Sequence, residues 1–84
     1  MKMDKNLEIL KELFWDYKWN SVLEKLDSPF VIARVLEIGD EDQVRTLIKE
    51  IGDDKIIDFL KKYGKRMLSK ISYNFWCHFY GISD

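Results

Sequence analysis

The side chains that could do chemistry in this chain are a group of acids, one Cys–His pair and one basic stretch. The acids Asp40, Glu41 and Asp42 stand in one row, and Asp53 and Asp54 form a second row. A calcium loop would need a glycine at its sixth position and a glutamate at its twelfth. The first row runs instead into a helical pattern, where acids in the first turn suit the macrodipole. We interpret both rows as helix starts.

Cys77 and His78 are the only cysteine and histidine, and they are neighbours. Adjacent residues on a helix point about 100° apart, so the two side chains cannot share a zinc ion or act as a nucleophile–base pair. The chain also shows no phosphate loop, paired-glycine fingerprint or serine elbow. The sequence therefore predicts a protein that is not an enzyme and holds no cofactor or metal.

Positive charge concentrates after residue 60, and this stretch contains no acid until the end of the chain. It comprises Lys61, Lys62, Lys65, Arg66 and Lys70. Such a row can contact phosphates, and residues 43–67 have the outline of a helix-turn-helix. Against this, Asp53 and Asp54 open the second helix of that outline, and the net charge of −1 is not that of a basic domain. Nucleic-acid binding through these five residues is the alternative function.

Composition is typical of a water-soluble globular chain, with 46% apolar and 35% charged residues. No apolar run could span a bilayer, and the N-terminus has no signal-peptide pattern. A single cysteine fits a reducing compartment. We expect one domain over residues 1–84, located in the cytoplasm without membrane contact.

Start and stop signals for helices follow one another along the chain. Ser28 before Pro29 predicts a helix start, and Gly39 predicts its end in a left-handed conformation. Asp40 and Gln43 fit a capping box. Glycines at 52 and 64 predict two further ends, with Asp53 as a cap. We expect an all-α, compact orthogonal bundle of five to six short helices around a C-terminal aromatic helix. The first helix carries residues 7–14 on its apolar side and ends within residues 14–19, and the others cover residues 22–26, 29–38, 41–51, 54–63 and 70–80.

The last of these helices is the richest in aromatic residues. Ser69 is its predicted N-cap and Gly81 follows its end. Phe75, Trp76 and Phe79 share one face by their spacing. A helix that is apolar most of the way round is normally covered by neighbours on several sides. We therefore place this helix at the centre of the core.

A second aromatic cluster lies at residues 14–19. We expect Phe14, Trp15 and Trp19 to close one end of the core, with an exposed tryptophan as the functional alternative. Twelve aromatic residues exceed what a small core hides, and nothing else suggests chemistry. The sequence therefore predicts a protein-interaction module that binds another protein or a second copy of itself. Its expected partner-binding residues are Trp15, Trp19, Tyr73 and Tyr80.

Several short motifs also resemble a known pattern. They are Leu13-Phe14-Trp15-Asp16, Val35-Leu36-Glu37 with Gly39-Asp40, Gly52, Asn74-Phe75-Trp76 and Gly81. Together they resemble a family of short uncharacterised prokaryotic proteins with paired Phe-Trp signatures, over residues 13–81. Some members look like the small partner encoded beside a nucleotidyltransferase-type toxin. The resemblance implies an antitoxin-like role.

Overall fold

The computed structural model of the protein describes residues 7–82. These residues form a 3-10 helix (Glu8–Phe14), six α-helices and no strand, which confirms the all-α prediction. The α-helices are α1 (Trp19–Leu23), α2 (Pro29–Ile38), α3 (Glu41–Ile51), α4 (Asp53–Phe59), α5 (Lys65–Met67) and α6 (Lys70–Phe79). A π-helical segment, Leu60–Gly64, joins α4 to α5. None of these helices is long and apolar enough to cross a membrane.

The centre of the core is α2. Its start is as predicted, because the Ser28 hydroxyl accepts a hydrogen bond from the Val31 N–H and Pro29 occupies the first helical position. It packs against the 3-10 helix, α3 and α4. Its buried side chains are Val31, Ile32, Ala33, Val35 and Leu36.

The aromatic helix α6 begins where predicted and ends at Phe79, one residue before the predicted end, but it does not lie at the centre of the core. The Ser69 hydroxyl caps it by accepting from the Ser72 N–H at 3.2 Å. Only Trp76 and Cys77 are buried, whereas Phe75 is 57% exposed and Phe79 is 60% exposed. Aliphatic side chains from α2, α3 and the 3-10 helix already fill the centre of this small domain. The chain therefore covers one side of α6 and leaves it at the edge.

The two Gly-Asp joints differ in backbone geometry. Asp40 and Gln43 form the predicted capping box, with side-chain to backbone distances of 2.8 and 2.9 Å. Gly52 has a φ of 94°, which favours glycine. The left-handed prediction for Gly39 is wrong, because its backbone is extended. A Cβ atom there would lie 2.5 Å from the Val35 carbonyl oxygen, so glycine is required by close approach.

Gly64 does not end a helix, contrary to the prediction. It is buried in helical conformation, and the chain continues through α5 to Met67. A Cβ atom on Gly64 would lie 3.0 Å from the Tyr73 ring, so the missing side chain lets α6 approach. Two smaller predictions, about where helices start and how they are capped, are also wrong. The short α1 begins at Trp19 and not at residue 22, and α4 begins at Asp53 with no side-chain cap.

Under-winding in the π segment keeps one row of residues on the buried side. Ile56, Leu60, Gly64 and Leu68 are all buried, and they are spaced by four residues. In an α-helix each step of four overshoots a full turn by about 40°, so this row would drift away from the core. The i to i+5 bonding of a π turn offsets that drift. This geometry places Gly64 against α6.

Candidate functional site

The structure separates the four aromatic residues predicted to bind a partner. Trp15 is 83% exposed, so the expectation that it closes the core is wrong; the buried Phe14 does so. Trp19, Tyr73 and Tyr80 are partly buried against the core. The Tyr80 hydroxyl donates to Asp53 Oδ1 at 2.8 Å, and burial together with the Asp53 carboxylate raises the pKa of this phenol. Trp15 is therefore the residue of the four that offers most of its side chain to a partner.

Exposed apolar side chains surround Trp15 and form what we call the Trp15 surface: Trp15, Phe30, Ile38 and Met67. They line an open groove of about 490 Å³, whose other lining residues are Leu13, Ala33, Arg34 and Glu37. Large apolar side chains gathered at one exposed place are typical of interaction sites, whereas single exposed ones are ordinary.

Arg34 holds the turn that carries Trp15. One of its guanidinium nitrogens, Nη1, donates to the Leu13 carbonyl oxygen at 3.1 Å and to Asp16 Oδ1 at 2.7 Å. The guanidinium carbon also lies 5.2–5.5 Å from the ring centres of three aromatic residues, within the range of cation–π attraction. These rings belong to Phe14, Tyr17 and Phe30. The Arg34 cluster, meaning Arg34 with these five partners, fixes the turn on α2.

The charged residues lining this groove are both engaged inside the protein. Arg34 pairs with Asp16, and its hydrogen bond lowers the pKa of that carboxyl. Glu37 accepts from the Ser69 N–H at 2.8 Å and from the Ser72 hydroxyl at 3.0 Å. The bond from the Ser69 N–H is the main cause of the lowered pKa of Glu37. The groove therefore offers a mainly apolar surface.

A second apolar surface lies on the outer side of α6. We call Ile71, Phe75 and Phe79 the α6 stripe; their spacing of four places them in one row. Ile71 is as exposed as Trp15, and the two phenyl rings stack with their centres 6.4 Å apart. Beside the stripe runs a groove of about 470 Å³ between α6 and α3. Among the described residues, Val44, Ile48 and Trp76 supply its apolar lining next to the stripe.

All five basic residues of the alternative site are exposed. Lys61 and Lys62 lie in the π segment, Lys65 and Arg66 in α5, and Lys70 opens α6. Lys62 pairs with Asp58 at 3.4 Å, and the Arg66 guanidinium lies 5.7 Å from the Tyr63 ring centre. A helix-turn-helix domain contacts bases with the start of its second helix, which would here be α4. The five basic residues instead follow the end of α4, so they do not lie where such a domain contacts bases.

The remaining reactive side chains lie apart. Cys77 is buried and its neighbour His78 is exposed, so they face different surroundings as the helical spacing predicts. Within residues 7–82, no three His, Cys, Asp or Glu residues are grouped closely enough to hold a metal ion. The acids of the first row begin α3, and Asp40 caps it.

Sequence reasoning identified Trp15 but missed the groove and the Arg34 cluster. Arg34 lies 18 residues from Asp16 and 21 residues from Leu13, so no local pattern links them. The available signal was an arginine inside the otherwise apolar stretch of α2, between Ala33 and Val35. Such an arginine needs an acidic or aromatic partner somewhere in the fold.

Comparisons with known proteins place the chain in a family without giving it a function. No curated protein and no solved structure matches it. A family model does match residues 9–60, which are more than half of the chain. The matched part includes Trp15, Arg34 and Glu37, whereas α5 and α6 lie outside it. The chain therefore belongs to the family of unknown function DUF6922.

Proposed function

We propose that this protein is a non-enzymatic protein-interaction module and that the Trp15 surface is its binding site. The observation that carries the proposal is the exposure of Trp15 on a turn that Arg34 holds in place. Tryptophan is among the residues that contribute most to binding energy at interfaces. A backbone turn that is already fixed also loses less conformational freedom on binding.

The chemistry of the groove indicates the kind of partner. Its charges are engaged by Asp16, Ser69 and Ser72, so neither a phosphate backbone nor a strongly charged peptide finds a ready counter-charge there. An apolar side chain beside Trp15 would bury its own surface and that of Ile38. We infer that the partner is a protein that presents apolar anchor residues, as one face of an amphipathic helix does.

The first prediction concerns affinity at this surface. Trp15→Ala should weaken binding of the partner by at least about 30-fold, because a truncated hot-spot residue costs about 2 kcal/mol or more. The partner would be captured from native cell extract on the tagged full chain, identified, purified and titrated by calorimetry.

The control variant is Phe75→Ala, which removes an exposed ring outside the Trp15 surface. It should leave the affinity within about threefold of the unsubstituted chain. A purified partner that binds the Trp15→Ala chain equally well would contradict the proposed site.

A narrower form of the proposal is an antitoxin-like role. Its support is the resemblance of motifs that include Leu13-Phe14-Trp15-Asp16, which form part of the Trp15 surface and the Arg34 cluster. In this form the partner is a nucleotidyltransferase-type toxin in the cytoplasm of a prokaryotic cell. The chain would inhibit the toxin's activity, and Trp15→Ala would relieve the inhibition.

The alternative function is nucleic-acid binding through the basic segment, and the exposure of all five basic residues favours it. In this case the chain should bind labelled DNA or RNA with an affinity that falls steeply as salt rises. The pair Lys61→Glu and Arg66→Glu should weaken binding by about tenfold or more, whereas Lys11→Glu on the 3-10 helix should have little effect. Absence of binding at about 50 mM salt by fluorescence anisotropy would exclude this function.

A further inference from the structure

Helix α6 contributes little to the interior of the domain. Among residues 7–82, the main buried cluster takes only Leu68 and Trp76 from the chain after Leu60. Its other members come from residues 7–60 and pack with one another. Most of the apolar interior therefore stays buried when α6 moves away. Release of α6 should cost less free energy than unfolding of the whole chain.

Polar contacts hold α6 at both ends and in the middle. The contacts of Glu37 at its start, and that of Tyr80 with Asp53 at its end, are made at exposed positions. In the middle, the Trp76 ring is buried and its Nε1–H donates to the Leu36 carbonyl oxygen at 3.2 Å. Exposed hydrogen bonds contribute little each, because water can replace them. Helix α6 is thus attached by a small set of contacts that can open together.

The last turn of α2 serves both α6 and the Trp15 surface. The Leu36 carbonyl oxygen and the Glu37 carboxylate bind α6. Glu37 and Ile38 also line the groove of the Trp15 surface. Met67, another lining residue, lies in α5, two residues before the N-cap of α6. Helix α5 has three residues and no buried side chain, so it does not fix Met67 by itself.

Release of α6 would change this groove in two ways. Met67 would move away with α5, and the groove would lose apolar surface. The Glu37 carboxylate would lose both of its bonds to α6. A partner that covers the groove would then bury an unpaired charge, which is unfavourable. An apolar partner should therefore bind the altered groove less tightly.

We propose that α6 regulates the Trp15 surface, which binds its apolar partner tightly while α6 is docked and weakly when α6 is released. This inference rests on the proposed function of that surface. Because such coupling is reciprocal, the bound partner should hold α6 in place by the same factor by which α6 strengthens binding. Couplings of this kind change affinity by about 5- to 150-fold. A ligand or modification that keeps α6 away from the domain would weaken binding by that factor.

The first test needs only the chain itself. Hydrogen–deuterium exchange of the full chain, followed by NMR at increasing urea, should show that the amides of α6 exchange through a local opening. The free energy of this opening should fall with urea less steeply than that of the amides at the centre of α2, because less surface is exposed.

A substitution at the shared contact extends this test. Glu37→Ala removes both bonds at the start of α6 and should speed exchange of the α6 amides about tenfold. The control is Glu24→Ala, which removes an exposed acid that takes no part in this contact. It should leave the exchange rates within about twofold.

The second test uses the partner protein purified for the calorimetric titration. At saturation it should slow exchange of the α6 amides by at least about fivefold. The informative amides are those of residues 77–79, because this end of α6 is held near Asp53, away from the groove of the Trp15 surface. Slower exchange there reports docking of α6 and not direct cover by the partner. The same concentration of partner should protect the Trp15→Ala chain much less.

Two results would overturn this inference and leave the proposed function standing. One is a set of α6 amides that exchange only through global unfolding. The other is a partner that binds in a Trp15-dependent manner while exchange of the α6 amides stays unchanged. A chain that shows local opening of α6 but binds no partner through Trp15 would instead contradict the proposed function, and this inference with it.

Discussion

Trp76→Ala is expected to lower the free energy of unfolding by about 3–5 kcal/mol, the range for large aromatic truncations in cores. Trp76 is buried in the contact between α6 and the rest of the domain, and its Nε1–H donates to the Leu36 carbonyl oxygen at 3.2 Å. Truncation leaves a cavity and removes this hydrogen bond. For 84 residues the whole stability is about 4–13 kcal/mol, so the loss is large. Urea unfolding followed by circular dichroism measures it.

The chain supplies its own control in Trp15→Ala, the same substitution at an exposed position. That change should lower stability by less than about 1 kcal/mol, because little buried surface is lost. Equal losses for the two tryptophans would contradict the packing of α6 described above. A large loss for Trp15→Ala alone would place that ring in the core.

The second large effect is expected at Gln43, which is 4% exposed and the one buried polar residue among those the structure describes. Its amide nitrogen donates to the Ile9 carbonyl oxygen at 2.8 Å and to Glu12 Oε1 at 2.9 Å. Gln43→Glu keeps the shape of the side chain but replaces the donating amide nitrogen with a carboxylate oxygen, which cannot donate to these two acceptors. We expect a loss of about 3 kcal/mol near neutral pH from unmet hydrogen bonds and charge repulsion.

This loss should depend on pH. The introduced carboxyl is buried beside another acid, so its pKa in the folded state should lie above its unfolded value. The deficit should therefore be fully present at neutral pH and diminish as pH falls through that raised pKa, since the protonated group can donate again. Urea unfolding at several pH values measures this course.

Two control variants sharpen the Gln43 experiment. Asn74→Asp makes the same amide-to-acid change at an exposed position of α6 and should have little effect. Glu12→Gln combined with Gln43→Glu should recover part of the stability, because an amide again meets a carboxylate. A deficit that is absent at neutral pH, or one that does not change with pH, would contradict the hydrogen bonds assigned to Gln43.

The features of the fold that the sequence predicted correctly are those that depend on residues close together in the sequence. Ser28-Pro29, Asp40 with Gln43, and Ser69 act within one turn of themselves, and the starts of α2, α3 and α6 lie where these residues indicate. The place of α6 was not predictable in this way. It depends on how much of the interior the aliphatic side chains of other helices already fill.

Glycine shows the same division. Gly52 ends α3 through its own positive φ, which is a local property. Gly64 also follows a helical pattern, but its role is not local. A side chain there would collide with the ring of Tyr73, nine residues later in the sequence. The candidate site also has one part that the sequence predicted and one part that it did not. The exposed tryptophan was one of two readings of the aromatic cluster, whereas its support by Arg34 comes from another helix.

The burial of Cys77 means that the chain carries a native reporter of local opening. It is the only thiol in the protein, and its place in α6 shields it from reagents in solution. A thiol reagent can react only during moments when α6 separates from the domain or the whole chain unfolds. When reclosing is fast, the ratio of the observed rate to that of a free thiol gives the equilibrium constant for this separation. The strength with which the last helix is held can thus be measured without any substitution or dye.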